Sequence, residues 1–357
     1  MSLNVQQLLY VYHGLHHVFR EDLHLARPLI QILQKNSKPE KARHLAMEMA
    51  RRMLAHGHSS SALSFLGICK RLNHPQHGDI ESMTSMAQMS LDNPQDSPME
   101  TFSLIDKLSD REAMDFILQA KIVRCHDGYN VVRQGEISDS FYLILEGKMK
   151  VHLQLSEGSD VHLNTLHPGD YFGEYACVYQ LPRTANVTAS GEAVILEFSN
   201  KAIAQLMEQS PEAGEQLMKA VRTRLIQSMS QTHPAFTQLA AADCDWMAEE
   251  SAIIELKAGT FLDHQLAQQC CVVMHGELIA QQHDQQRPLC LLQKNDIFGT
   301  HSKYLALPEG ARFFTENRSL VCCIPENIFL SFMAAYGDFE RWIKTARSRH
   351  LTTSQAE

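Results

Sequence analysis

The sequence predicts an α+β protein, a helical N-terminal segment followed by two tandem copies of one β-domain with flanking helices, and three observations carry that prediction. Over residues 1–90 apolar side chains recur at helical spacing. From about Ile122 to Phe198 the texture changes to short β-rich runs separated by turn residues. The punctuation of that region then returns at a single offset. Phe172-Gly173 is answered by Phe298-Gly299, Leu181-Pro182 by Leu307-Pro308, and Ala185 by Ala311.

The first helix is read from Val5, Leu8, Leu9, Tyr12, Leu15 and Phe19, which fall on one face. A second amphipathic run, residues 38–54, stops at His56-Gly57-His58, and a third, residues 59–72, closes at Asn73-His74-Pro75. Ala50, Met53, Gly57, Ala62, Leu66 and Pro75 resemble the small and apolar positions of a tetratricopeptide-type hairpin. Residues 85–100 are polar, carry two prolines and read as a linker. Beyond it, Phe141 to Leu145 and Val194 to Leu196 are strand-like, and Asp127-Gly128, Gly135, Glu146-Gly147 and Pro168-Gly169-Asp170 are turn signals. Many short strands at this spacing predict a sandwich or barrel. Helical periodicity resumes over residues 200–230. Gly147 matches Gly276 and Gly128 matches Gly259, with loops differing by a few residues. The expected domains are 1–90 (helical), 91–101 (linker), 102–230 and 231–357 (the two β-domains).

Composition narrows the function. The net charge is −9 and no Lys/Arg run is present, so a phosphate-tracking surface is disfavoured and nucleic acid with it. Nine cysteines form no Cys-x-x-Cys pair, and the doublets Cys270-Cys271 and Cys322-Cys323 read as buried strand residues. Free thiols, no secretory signal and no apolar run of membrane-spanning length predict a cytoplasmic protein with no membrane contact. Among helix-borne histidines, His13, His16 and His17 have no acidic or cysteine partner at fixed spacing, so they read as a polar helix face and no metal is expected. No phosphate-cradling lysine loop, nucleophile elbow or zinc-protease motif is present, so no catalytic residue and no catalytic cofactor is expected.

One stretch carries chemistry. Between Phe172 and Ala189 the order Gly-Glu-Tyr-Ala, then Leu-Pro-Arg-Thr-Ala, places a backbone cradle and a cation at fixed separation. Gly173 lets a main-chain amide approach a ligand. The N–H groups of Glu174, Tyr175 and Ala176, at the start of a short helical turn, favour an anion. Ala176 leaves room, and Arg183 presents a planar fork of donors suited to phosphate oxygens. The stretch resembles the phosphate-binding cassette of the cyclic-nucleotide-binding domain family, found in protein kinase A regulatory subunits, bacterial catabolite-type regulators and nucleotide-gated channels. The resemblance covers about Phe102 to Ser230 and includes Gly135-Glu136, Asp139, Phe141-Tyr142 and Gly147. It implies two jelly-roll-like β-rolls, Glu174 on the ribose 2′-hydroxyl, Arg183 on the exocyclic phosphate oxygens and Asp139 orienting the arginine. Thr184 can serve a phosphate or a guanine amine and so does not choose the base. The expected ligand is cyclic AMP, as the commoner one in the family, with cyclic GMP open, and Glu174 argues against cyclic di-GMP.

The repeat serves as a control. Where the first copy has Glu174, Arg183 and Thr184, the second has Thr300, Glu309 and Gly310, so its pocket reads as degenerate, with Arg312 the one nearby cation. The function expected is a cyclic-nucleotide receptor that signals to a protein partner through the N-terminal helices or the second β-domain. A regulatory subunit acting on a kinase in trans is the second expectation. A DNA-binding regulator is the third, and no helix-turn-helix follows the first β-domain to support it.

Overall fold

The computed structural model describes residues 3–91, 102, 105, 108–154, 160–263, 266, 269–282, 288–299 and 311–343. It divides into two compact units, Met1–Leu217 and Met218–Glu357.

The first unit opens with α1(Val5–Val18), α2(Leu23–Lys35), α3(Pro39–Ala55), α4(Ser59–Arg71) and α5(His77–Met89). Each start has a local cause. Asn4 and Gln7 form a capping box on α1, the Asp22 carboxylate accepts the amides of His24 and Leu25, and a proline opens α3. Three of the turns between helices contain a left-handed residue, Ser37, Gly57 and Asn73. Each helix packs on the next, around Leu29, Met49, Met53, Phe65 and Leu66.

The polar stretch expected to be linker from residue 85 is helical as far as Met89. Nor does a compact-unit boundary fall at 91–101, because α1 lies directly on the following β-domain. A Cβ on Gly14 would come within 2.7 Å of Leu145, so only glycine lets the helix approach this closely. Tyr10 donates to the Glu146 carboxylate at 2.7 Å, and a Cβ on Gly169 would meet Val18 at the same distance. The fully buried Asp22 also accepts the Phe102 amide at 2.8 Å, and Phe102 stacks on Phe19. Asp22→Ala leaves three amides of the helical layer without their acceptor. It should lower the stability of this unit by about 3 kcal/mol, read as the midpoint of chemical denaturation.

The β-domain of this unit begins with α6(Asp110–Ile117), closed by a Ser109–Glu112 capping box. Eight strands follow: β1(Lys121–Cys125), β2(Asn130–Val132), β3(Ser140–Glu146), β4(Met149–Gln154), β5(Asp160–Leu166), β6(Tyr171–Phe172), β7(Asn186–Ala189) and β8(Ala193–Ser199). They form two antiparallel four-stranded sheets in the orders β1-β8-β3-β6 and β2-β7-β4-β5. Strand β3 is buried from Ser140 to Leu145 because both of its faces are covered. Tyr142 and Ile144 enter the core between the sheets with Val132, Met149, Phe172 and Ile195. On the other face Phe141 stacks on Phe198, which stacks on Phe116 of α6, and Leu145 receives α1. Two helices follow, α8(Asn200–Gln209) and α9(Pro211–Thr232), after the short α7(Glu174–Tyr179) described below. The boundary between units falls inside α9, at 217/218 rather than at the expected 230/231.

The second unit repeats the β-domain of the first. After α10(Ala241–Glu250) come β9(Ala252–Leu256), β10(Thr260–Phe261), β11(Cys270–His275), β12(Leu278–Gln282), β13(Pro288–Leu292), β14(Ile297–Phe298), β15(Ala311–Thr315) and β16(Ser319–Ile324), then α11(Glu326–Ala335). Its sheets run β9-β16-β11-β14 and β10-β15-β12-β13, the order of the first pair shifted by eight strands. The cysteine doublets behave as the alternation predicts. Cys271 and Cys323 face the core between the sheets, while Cys270 and Cys322 are buried on the other face. All nine cysteines are free thiols. Among the described residues, no helix is long and apolar enough to cross a membrane.

Candidate nucleotide site

The site is built at one end of β6. Phe172 stacks on Tyr142 of β3 with ring centroids 5.1 Å apart, which fixes where the strand stops. Gly173 then takes φ +82°, a left-handed conformation that turns the chain straight into α7. The first intrahelical bond of α7 runs from Cys177 N–H to Gly173 O at 3.1 Å, so the amides of Glu174, Tyr175 and Ala176 precede the helical ladder. Ala176 is buried. A second left-handed residue, Gln180, ends α7 and sends the chain back through Leu181 and Pro182 to Arg183.

Arg183 is held from both directions along its backbone. Its amide donates to Glu136 O and its carbonyl accepts from Gly135 N–H, both at 2.8 Å. Its side chain runs inward and the residue is only 4 % exposed. Nη1 donates to Gly173 O at 2.6 Å, and Nη2 donates to Ser138 Oγ at 2.9 Å and to Ser140 O. The guanidinium lies 5.9 Å from the Tyr142 ring centroid, within cation–π range. A Cβ on Gly173 would overlap Nη1 and lie 3.3 Å from Cζ, so the glycine is also what admits the guanidinium.

Two features of this arginine are unlike a structural one. Nε is buried with no hydrogen-bond partner among the described residues, and no carboxylate forms an ion pair with the guanidinium among them. Burial pushes its pKa down from the ordinary arginine value, partly offset by Tyr142, Cys177, Glu174 and Asp139 nearby. A buried cation outside any ion pair is costly to fold around, and groups perturbed in this way cluster at functional sites. A surface Arg183–Glu174 pair, the bland reading of the same two residues, is not what forms.

Gly173, Glu174, Tyr175, Ala176 and Arg183 are thus brought into one loop-and-turn unit, and Thr184 follows it on the exposed side. Asp139 stands beside the arginine as a charge, and its main-chain carbonyl accepts from Asn200 N–H at 2.7 Å and Cys177 Sγ–H at 3.1 Å. Ser138 and the Ser140 carbonyl, which contact the guanidinium directly, were not singled out by sequence. A serine hydroxyl and a main-chain oxygen leave no compositional signal.

The corresponding site of the second unit is only partly described, because Thr300, Glu309 and Gly310 lie outside the described residues, as do Leu307 and Pro308. Arg312, the one cation expected near it, lies over the Phe261 ring at 4.1 Å. Gly299 has φ 159°, so the left-handed turn of Gly173 is not repeated. His16 on α1 is pushed down to about 4 by burial and by Arg52, and among the described residues no group of His, Cys, Asp or Glu is placed to hold a metal. A surface cleft of about 330 Å³ lies elsewhere, between α3 and the α4–α5 turn, lined by Arg43, His44 and His74.

Comparison with known proteins agrees with this geometry. Residues 122–210 match the family model described as the cyclic nucleotide-binding domain. A cAMP-dependent protein kinase regulatory subunit from Dictyostelium discoideum is 35 % identical over 106 residues, 29 % of this chain and 32 % of that protein. A CRP-like cAMP-activated global transcriptional regulator from Mycobacterium tuberculosis is 31 % identical over 98 residues, 28 % of this chain and 44 % of its own length. The chain therefore spans about a third to somewhat under half of the length of these curated relatives. Among solved structures, the regulatory domain of Toxoplasma gondii PKA with cAMP is 19 % identical, with 69 % of this chain and 92 % of that one covered and a TM-score of 0.32. The ordered cassette and the matched model together place residues 122–210 in the cyclic nucleotide-binding domain family.

Proposed function

We propose that this protein is an intracellular receptor for a cyclic mononucleotide, cyclic AMP first and cyclic GMP second, and that it acts as a regulatory protein rather than an enzyme. The observation that supports this reading most is the buried guanidinium of Arg183, which among the described residues has an unpartnered Nε and no carboxylate in an ion pair with it. A cyclic phosphate monoanion supplies both the charge and the acceptor that this group lacks. Glu174 then serves the ribose 2′-hydroxyl and the first-turn amides of α7 serve the sugar-phosphate. Because Glu174 would repel a bare phosphate, it makes the site selective for a nucleotide with a free 2′-hydroxyl.

Ligand on Arg183 rearranges the 173–183 segment, which Asn200 at the start of α8 grips by donating to Cys177 O at 2.8 Å. The signal leaves as a changed arrangement of the following helices. It can be no larger than the ligand's differential affinity for the two arrangements. The output is a protein contact made through the N-terminal helices or the second β-domain. The likeness to kinase regulatory subunits makes a kinase catalytic chain the second candidate partner, tested by co-purification with and without nucleotide.

Calorimetric titration of the full chain with cyclic AMP, cyclic GMP and cyclic di-GMP tests the reading. One-site binding of a mononucleotide, with a thermal shift of the same transition, is expected. Heat from none of the three would sink the receptor reading.

A further inference from the structure

The resemblance gives the orientation of the arginine to Asp139, but the hydrogen bonds give it to the residue before. Arg183 Nη2 donates to Ser138 Oγ at 2.9 Å and to Ser140 O, and Nη1 donates to Gly173 O. Two of these three acceptors are main-chain carbonyls, which no side-chain change alters. Ser140 Oγ is engaged elsewhere: it donates to Glu197 Oε1 at 3.0 Å, and Glu197 Oε2 accepts from Lys121 Nζ at 3.0 Å. The Asp139 side chain makes no hydrogen bond with the guanidinium, and the residue is exposed. Among the described residues, Ser138 therefore supplies the one side-chain hydrogen bond that orients the fork.

We propose that Ser138 is the positioning residue for Arg183: its hydroxyl fixes the plane of the guanidinium so that Nε and the remaining Nη1 hydrogen face the ligand's phosphate. This rests on the nucleotide-site reading above and deepens it. Both hydrogens of Nη2 are committed, one to Ser138 and one to Ser140 O, which stops rotation about the terminal C–N bond. Nη1 keeps one hydrogen beyond its bond to Gly173 O, and Nε keeps its own. A fork held this way has already lost the rotamer freedom that ligand binding would otherwise cost. The Ser138 hydroxyl accepts from Nη2 and is also hydrogen-bonded to the Tyr142 phenol, which holds it in place beneath the guanidinium. A carboxylate at the same place would neutralise the arginine and compete with the ligand. A hydroxyl orients without neutralising.

The test is nucleotide affinity, by calorimetry on the full chain with cyclic AMP, of Ser138→Ala, Ser138→Thr and Asp139→Ala. Loss of one hydrogen bond to a charged group predicts about tenfold weaker binding for Ser138→Ala. Ser138→Thr should restore affinity to within about twofold, since it returns the hydroxyl, and Asp139→Ala should weaken binding less than Ser138→Ala. Wild-type affinity in Ser138→Ala, or a larger loss in Asp139→Ala, overturns the assignment. A readout without ligand separates this inference from the site reading. In the nitrogen-15 spectrum of the Arg183 side chain, hindered and distinct Nη signals are expected in wild type and averaged ones in Ser138→Ala. If wild type binds no cyclic nucleotide, the receptor reading fails, and these spectra alone decide Ser138: averaging in the variant upholds the positioning role, and unchanged signals overturn it.

Discussion

Arg183→Ala will weaken cyclic-nucleotide binding by at least about a hundredfold, the scale of a charge-assisted contact to phosphate lost from a dry site. Stability should move far less than affinity. The substitution removes the donors to Gly173 O, Ser138 Oγ and Ser140 O, which costs stability. It also removes a buried cation that forms no ion pair with a carboxylate among the described residues, which returns stability. These effects oppose one another, so the thermal transition measured without nucleotide should stay within a few degrees of wild type, while the shift produced by ligand disappears. Arg183→Lys is the informative companion. It keeps the charge, loses the fork, and should fall between wild type and alanine. Binding by the alanine variant at wild-type affinity would move the phosphate away from this arginine and undo the site as built here.

How much of this was legible beforehand depended on whether the signal was local. The cassette was legible because Gly173 to Arg183 is one continuous run whose residue types each have a physical reason to stand where they do. Its supports were not, because Ser138 lies 45 residues before Arg183 and Ser140 43 before it. Nothing in a serine marks it as an acceptor for a distant guanidinium. The repeat was legible through its turn residues, since left-handed positions recur at Gly128 and Gly259 and at Gly147 and Gly276. The packing of the helical segment on the first β-domain was not legible for a related reason. Gly14 and Gly169 read as ordinary residues of a helix and a turn, and only the fold shows that their missing side chains let α1 lie on β3 and the β5–β6 turn. The last turns of α5 read as linker because residues 85–100 are polar and carry two prolines; the helix runs on to Met89 with Met86 and Met89 facing solvent, at 58 % and 80 % exposure, rather than a core.

The paired glycines support the largest stability effect expected in the molecule. Gly147 sits in the turn from β3 to β4 at φ +85°, and a Cβ there would lie 2.7 Å from Ala193 Cα and overlap Glu192 O. Its counterpart Gly276, at φ +79°, would bring a Cβ to 2.8 Å from Arg318 O and onto Ser319 Oγ. In each case at least one obstacle is the backbone leading into the next central strand, β8 or β16, which cannot swing aside as a flexible side chain would. Valine adds the left-handed strain of a β-branched residue to that collision, and together they should cost on the order of 4 kcal/mol. That is a large fraction of the stability of a typical domain. The chain's two tryptophans, Trp246 and Trp342, both belong to the second unit, so their fluorescence follows that unit while ligand-induced thermal shift follows the first. Gly147→Val should lower the denaturation midpoint of the first unit and take nucleotide binding with it, leaving the tryptophan transition in place. Gly276→Val should do the reverse, lowering the tryptophan midpoint while binding persists. If either variant moves both transitions equally, the two units unfold as one cooperative body, and the degenerate copy contributes to the stability of the nucleotide site through that cooperativity.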